Sequence, residues 1–403
     1  MEQEYSTLFI SCSKRGIYYA NDASARYRCI YQCMKTRSEG KHADIIHMMD
    51  ALKISLSNYD QVIIHRPRNS LRLSRFLRKA KKLNIHVSAD YDDLLFRPDL
   101  AHESPTVLSG KESLHSARKQ AESALKALRK FSSCRMSTAP LIEMARSVHP
   151  NCSYHLVHNM VPDSELPKEI VPAEERFKNK VIRYFPGTSH HSANFKVVEN
   201  VLAEWLSEHP EAKLEVVGDI EINHDIFPDG QLMTHPFVPY TELPKLISTS
   251  WITIAPLEDN HFNNCKSGLK FWESAAFGVP VVATPNEDLK RFSESGLQLA
   301  NSKSCWMLIL DLLNKPSYYL DCSKKCKENT FQEFFPNSPI TWKIIQCYPT
   351  FNRVKYNQIP ATHTKLRKFK KLQRSPRSYF SDAIKKKLGR EKANPEHYTK
   401  KID

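Results

Sequence analysis

The stretch ITIAPLEDNHFNNCKSGLKFWESAAFGVPVVAT, residues 252–284, reads as strand, polar loop, helix and strand in immediate succession. ITIAP (252–256) and PVVAT (280–284) are short, rich in β-branched residues and apolar on both faces, as buried parallel strands are. The intervening pattern predicts a helix over about 266–277 that serves as the crossover parallel strands require. Upstream, VIRYF (181–185) and LEVVG (214–218) are further strands. Between them lies a helix whose stripe is Val197, Val198, Val201, Leu202, Trp205 and Leu206. Another helix is predicted around CWMLILDLL (305–313).

The first half repeats the theme, with strands at TLFISC (7–12), ADIIHM (43–48), QVIIH (61–65), IHVSAD (85–90), SCRMST (133–138) and YHLVHN (154–159), helical patterns filling the gaps. The fold class expected is α/β, two Rossmann-like parallel-sheet domains facing across a cleft, each with ligands outside the carboxyl ends of its strands. The expected organisation is a domain over 1–160, a proline-rich linker over 161–180, a second domain over 181–350 and a basic helical tail over 351–403.

A chain of 403 residues has length enough for two cores. The formal charge of +15 resembles that of a nucleic-acid binder until its position is considered. Residues 351–403 hold 16 Lys or Arg against 4 Asp or Glu, a net of +12, so the rest of the chain carries about +3. Nucleic acid is therefore not an expected partner. In the tail Phe380, Ile384 and Leu388 recur on one side of YFSDAIKKKLGR with lysines opposite, a pattern suited to an anionic membrane surface or else to a solvated, disordered tail. No run of about 18 apolar residues and no signal-peptide layout is present, so the expected location is cytoplasmic, at most peripheral on the inner face of the membrane. Ten scattered cysteines fit a reducing compartment. Neither they nor the His190 and His191 doublet form a four-ligand zinc set, and no metal or other cofactor is expected.

Chemistry concentrates in the quoted block. Lys266 and Ser267 stand where a loop feeds a helix, a place suited to a diphosphate, and Lys270 follows one turn on. Glu273 lies three residues beyond Lys270, so Lys266, Lys270 and Glu273 can share one helix face, with the carboxylate able to accept both hydroxyls of a ribose. The plainer alternative is a surface i, i+3 pair worth about 0.2–0.5 kcal/mol. Gly187, in FPGTSHHSANF (185–195), permits close backbone approach to phosphate or forms an ordinary strand-to-helix turn. Arg26 and Arg28 flank the expected cleft, as donor-phosphate or anionic-acceptor ligands or as a solvated helix start. Asp90, Tyr91 and Asp92 spell Asp-x-Asp, which is assigned to the acceptor side or to local hydrogen bonding rather than to a metal.

On these residues the sequence resembles the retaining group-1 glycosyltransferases of the GT-B fold, in particular a bacterial surface-polysaccharide branch. SARYRC (24–29), SADYDDLLF (88–96), VVGDI (216–220) and HPFVPYTELPKLIST (235–249) resemble further landmarks. The resemblance implies that Glu273 contacts the donor ribose and that Gly187, Thr188, Phe237 and Val238 line the donor site, with Pro239 beside them. It implies Lys266 and Lys270 as the cations that stabilise a leaving diphosphate. Two positions depart from the pattern: Cys265 stands where the family's first glutamate falls, and Thr188 stands where many members carry arginine. The function implied is transfer of a sugar, with retention, from a nucleotide-diphosphate donor to a glycan or lipid-linked acceptor. The alternatives are a degenerate non-catalytic binding subunit and a sugar-nucleotide epimerase or phosphorylase on the same scaffold.

Overall fold

The computed structural model describes residues 6–159 and 170–334, so the basic tail and residues 161–169 of the expected linker lie outside the described residues. In the first half, β1 (Thr7–Ser11), β2 (Ala43–His47), β3 (Gln61–His65), β4 (His86–Tyr91), β5 (Ser133–Met136) and β6 (Ser153–Leu156) form one sheet in the order β2-β1-β3-β4-β5-β6, all parallel. β1 is buried along its whole length, which is why TLFIS is apolar on both faces. Helices between the strands begin on side-chain caps: Ser70 accepts from the Leu73 N–H at 3.1 Å, and Thr138 from Leu141 at 3.4 Å.

The second half builds β7 (Val181–Tyr184), β8 (Lys213–Val217), β9 (Leu232–His235), β10 (Ile252–Ala255), β11 (Val281–Ala283) and β12 (Gln298–Leu299), in the order β12-β11-β10-β7-β8-β9. Counted within this half, that is the 3-2-1-4-5-6 order of a nucleotide-binding sheet, with its reversal between β7 and β10. The first sheet reverses between β1 and β3. Each reversal opens a crevice at the carboxyl ends of the flanking strands. Gly187 and the polar loop after β10 occupy one, and the segments after Ser11 and His65 occupy the other.

Two elements differ from the sequence reading. The expected helix over 266–277 is divided. A short turn of helix, His261–Asn264, is capped by Asn260, whose side chain accepts from the Asn263 N–H at 2.8 Å. The main helix runs only over Leu269–Ala275, with the Gly268 N–H just ahead of it held by Asp288 at 2.7 Å. Lys266 therefore sits ahead of the helix rather than on a face shared with Lys270 and Glu273. In the expected linker, Ala173–Asn179 is a helix. Its Arg176 is buried and donates to the carbonyls of Phe277 at 2.6 Å and Gly278 at 2.9 Å, which ties the helix to the end of the helix that carries Glu273.

The cores are those of two stacked layers, with one exception. Phe262 and Cys265 belong to the apolar cluster of the first sheet, together with Leu94, Phe96 and Leu141, although they come from the second half of the chain.

Where β8 ends, Gly218 has φ +145°, and a Cβ there would stand 2.8 Å from Pro186 Cγ in the turn that leads to Gly187. Gly218→Ala is expected to lower stability by about 1–3 kcal/mol in urea unfolding, through backbone strain and this clash.

Candidate donor site

Lys270 and Glu273 project from the helix Leu269–Ala275 into the crevice between β7 and β10. Lys270 donates its ammonium to the carbonyl of Phe185, the residue that follows β7, and burial holds its pKa down despite the nearby Glu273. Burial pushes the Glu273 carboxyl up, against the opposing pull of Lys270, Tyr27 and Arg26. Lys266, brought to the same place by the preceding turn, is pushed down to about 8 by burial and by Lys270 and Arg66, with Asp93 acting the other way. Its ammonium lies 5.6 Å from the centre of the Phe262 ring. Two lysines thus share a poorly solvated space, an arrangement that an anion would relieve.

The turn after β7 adds a third nitrogen base. Gly187 has φ +77° with nothing within 4 Å of where a Cβ would be, so the backbone is exposed as well as left-handed. Four residues on, His191 is held down to about 2 by burial and by Lys266 and Lys270, and so stays neutral. Its tautomer follows from its neighbours. The Glu258 N–H donates to Asn194 Oδ1 at 3.0 Å, which turns Asn194 Nδ2 toward His191 Nδ1 at 3.0 Å. Nδ1 is therefore the acceptor and Nε2 carries the proton.

The first half meets this helix through the segment 26–30, where the N–H of Tyr31 bonds back five residues to Arg26. The wide turn sends three consecutive side chains in different directions. Tyr27 donates a hydrogen bond from its hydroxyl to the Glu273 carboxylate, and its oxygen is 3.3 Å from that of Tyr240. Arg26 lies over the Tyr240 ring at 3.7 Å. Arg28 goes inward. It is fully buried and grips Asp90 with two hydrogen bonds, 2.8 and 2.7 Å, while also donating to Val157 O and, at 3.2 Å, to Asn159 Oδ1. Asn159 in turn donates to Ser267 Oγ at 2.9 Å.

These contacts revise several assignments made from sequence. Arg28 and Asp90 have no accessible surface and neutralise each other, so neither faces an acceptor or a phosphate. Asp92 is also nearly buried, accepting from Ser24, from His65 at 3.2 Å and from Arg66 at 2.5 Å. Burial works to raise its pKa, but Arg66 and His65 outweigh it and hold the carboxyl well below its usual range. The Asp-x-Asp pair is thus committed to local bonding. The Gly268 amide is taken by Asp288 and is no donor to the crevice, whereas Ser267 accepts from Asn159 and keeps its own hydroxyl proton to donate. Val238 packs with Phe185, Val217 and Ile247, whereas Phe237 is 61% exposed. Thr188 is exposed in the turn. Cys265 is buried, its thiol pushed up to about 12 by burial, and its carbonyl accepts from Thr138 Oγ1 at 2.8 Å.

Sequence reasoning passed over Tyr27, His191 and Arg66. The signals for Arg66 and His191 were their places just after a clear strand and four residues past Gly187; the role of Tyr27 had none, since its partners Tyr240 and Glu273 are distant in the chain. Among the described residues no group of three or more His, Cys, Asp or Glu is placed to hold a metal. A cavity of about 640 Å3 adjoins the glycine turn, walled by Lys111, Ser189, Gly218, Asp219 and His235.

No protein-family model and no curated protein sequence matches this chain. Solved structures do. A mutant form of TarM of S. aureus, crystallised with fondaparinux, α-GlcNAc-glycerol and UDP, superposes with a TM-score of 0.50 at 12% identity over 71% of this chain. The chain spans about half of TarM's length, 54%. HepE of Anabaena, in complex with UDP, gives 0.54 at 13% identity over 85% of this chain and 99% of its own. A putative UDP-N-acetylglucosamine 2-epimerase of Listeria monocytogenes gives 0.50 at 11% identity, covering 83% and 98%. The fold is GT-B, two Rossmann-like domains, and at such identities the likeness establishes the fold alone.

The place of Cys265 in an apolar cluster explains its departure from the glutamate of the resembling family. Cys265→Glu is expected to cost about 3–5 kcal/mol in urea unfolding, as an unpaired buried carboxylate does. Cys265→Val should remain within about 1.5 kcal/mol of the parent, since Val is apolar and close to it in volume.

Proposed function

We propose that the chain is a glycosyltransferase that takes a sugar from a nucleoside diphosphate donor bound at the crevice between β7 and β10. The observation that carries this reading is the convergence of Lys266, Lys270 and the neutral, donor-bearing His191 beside the Gly187 turn, with Glu273 one helical turn from Lys270. A diphosphate satisfies the two ammonium groups. As the bond to the sugar breaks, negative charge grows on the leaving phosphate oxygen, and preplaced cations in a poorly solvated site stabilise that charge without reorganising. Glu273 suits the ribose. A carboxylate has about four lone-pair sites, so it can keep Tyr27 and still accept two ribose hydroxyls. With two lysines opposite the diphosphate, no divalent metal is required by this scheme.

The same GT-B sheet carries transferases and a putative epimerase among its solved relatives, and the choice between them rests on products. We favour transfer, with retention, to a glycan or lipid-linked acceptor of a bacterial surface polysaccharide; the support is the resemblance of the donor block, residues 252–284, to that branch. The basic tail would then bring the enzyme to an anionic membrane surface from the cytoplasmic side.

The test is calorimetric titration of the full chain with UDP, GDP, ADP and CMP, chelator present throughout. One nucleoside diphosphate is expected to bind saturably, UDP first in order because HepE and TarM hold it. Lys270→Ala and Glu273→Ala should each weaken it at least tenfold. Incubation of the cognate nucleotide sugar with an acceptor panel should then yield glycosylated product; an epimerised nucleotide sugar instead would establish the second reading, and no binding by any nucleotide would defeat both.

Affinity should also depend on pH. The diphosphate favours the ammonium form of Lys266, whose pKa in the free protein is about 8. Below about pH 7 the lysine is already charged and contributes no further change in affinity. As pH rises through 8 the free protein loses that charge, and affinity should decline. Lys266→Ala should bind more weakly at neutral pH and show a shallower decline.

A further inference from the structure

The second crevice, at the carboxyl ends of β1 and β3, also gathers cations. Lys14 follows β1 and Arg68 follows β3. Lys14 Nζ donates to Gln120 Oε1 at 2.7 Å, and Arg68 Nη1 donates to the same oxygen at 2.9 Å. The orientation of that amide is set independently, because Gln120 Nε2 donates to Glu112. Two positive groups therefore converge on one neutral oxygen, and neither has a carboxylate within ion-pair distance among the described residues.

Arg66, between them and the donor lysines, is already committed to Asp92 and Asp93. It leaves no acid for its neighbours and adds to their crowding: burial and the adjacent cations depress both Lys14 and Arg68, with Glu112 the one nearby acid acting on each of them. Glu112 itself is occupied, accepting from Ser116 at 2.6 Å, from Thr106 at 3.0 Å and from Gln120. The adjacent Lys111 walls the cavity of about 640 Å3 beside the glycine turn and donates to Ser189 O at 2.7 Å.

We propose that Lys14 and Arg68 form a subsite for a negatively charged group, a phosphate or a carboxylate, on the molecule that receives the sugar. The crossing point of the second sheet takes the donor, and that of the first takes the acceptor. An anion displaces Gln120 as the shared partner, with the arginine fork gripping two oxygens and the lysine a third or the same one. That the occupant is an acceptor rests on the transferase reading above; that the occupant is an anion rests on Lys14 and Arg68 alone.

The probes are methyl phosphate, methyl α-D-glucuronide and uncharged methyl α-D-glucoside, titrated calorimetrically at low salt. At least one charged probe should bind the parent protein ten times or more tightly than the glucoside, and the preferred one identifies whether phosphate or carboxylate is read. Lys14→Ala with Arg68→Ala should remove that preference, with nucleotide affinity as the check on folding. Should the double variant fail to fold, Lys14→Glu, at an exposed position, must lower charged-probe affinity at least tenfold. Lys266→Ala with Lys270→Ala should lose nucleotide and keep the charged probe. Charged probes that bind no better than the glucoside would overturn the proposal. So would anion binding that vanishes with Lys266 and Lys270 and survives without Lys14 and Arg68. If no nucleotide binds while the anion pattern holds, the transferase reading falls and the anion site stands.

Discussion

Everything at the crevice between β7 and β10 depends on how the loop after β10 is anchored in the opposite half of the molecule. Phe262 and Cys265 are buried in the core of the first sheet, and burying a phenylalanine side chain contributes about 1.5–3 kcal/mol. Polar contacts fix the direction: Thr138 holds the Cys265 carbonyl, and Asn159, itself held by the buried Arg28 and Asp90 pair, holds Ser267. A chain of hydrogen bonds thus runs from Asp90, on β4 of the first sheet, to the start of the helix that carries Lys270 and Glu273. Because Arg28 has lost all contact with solvent, its charge is tolerable only while Asp90 remains, and the chain is cooperative for that reason.

That anchoring brings like charges together. Lys266, placed by the buried loop, and Lys270, placed by the helix, each depress His191, and Lys270 depresses Lys266. The arrangement has a folding cost, offset by the apolar contacts of Phe262 and by Arg176, which clamps the far end of the same helix through the carbonyls of Phe277 and Gly278. Stability drawn from well-packed parts of a protein commonly maintains strained charge at a site.

Much of the fold was legible because parallel strands covered on both faces are apolar throughout: TLFIS, QVIIH, LEVVG and ITIA stand out against their surroundings. β9, with LMTH at an exposed edge, and β12, two residues long, lack that signature. The helix start was misplaced because Lys266 and Ser267 look like a helix beginning, whereas the capture of the Gly268 amide by Asp288, twenty residues on, is a tertiary fact. Lys270 and Glu273 could be read from their spacing. The partnership of Glu273 with Tyr27, 246 residues away, could not; for Asp90 the sequence left a ligand role and local hydrogen bonding both open, and its pairing with the buried Arg28 is the local one.

The two sheets are alike in one further respect, and it bears on how a transferase of this form would work. In each, the strand order reverses near a pair of cations that has no carboxylate within ion-pair distance among the described residues: Lys266 and Lys270 between β7 and β10, Lys14 and Arg68 between β1 and β3. Between them lies Arg66, bonded to both Asp92 and Asp93, so the two positive regions are separated by a base and two acids that carry no surplus positive charge. Two anionic ligands held in one cleft would repel; with a separate pair of cations for each, each charge is compensated locally. The reacting sugar, which carries no charge of its own in the ground state, is then the part left to meet the acceptor in the space between.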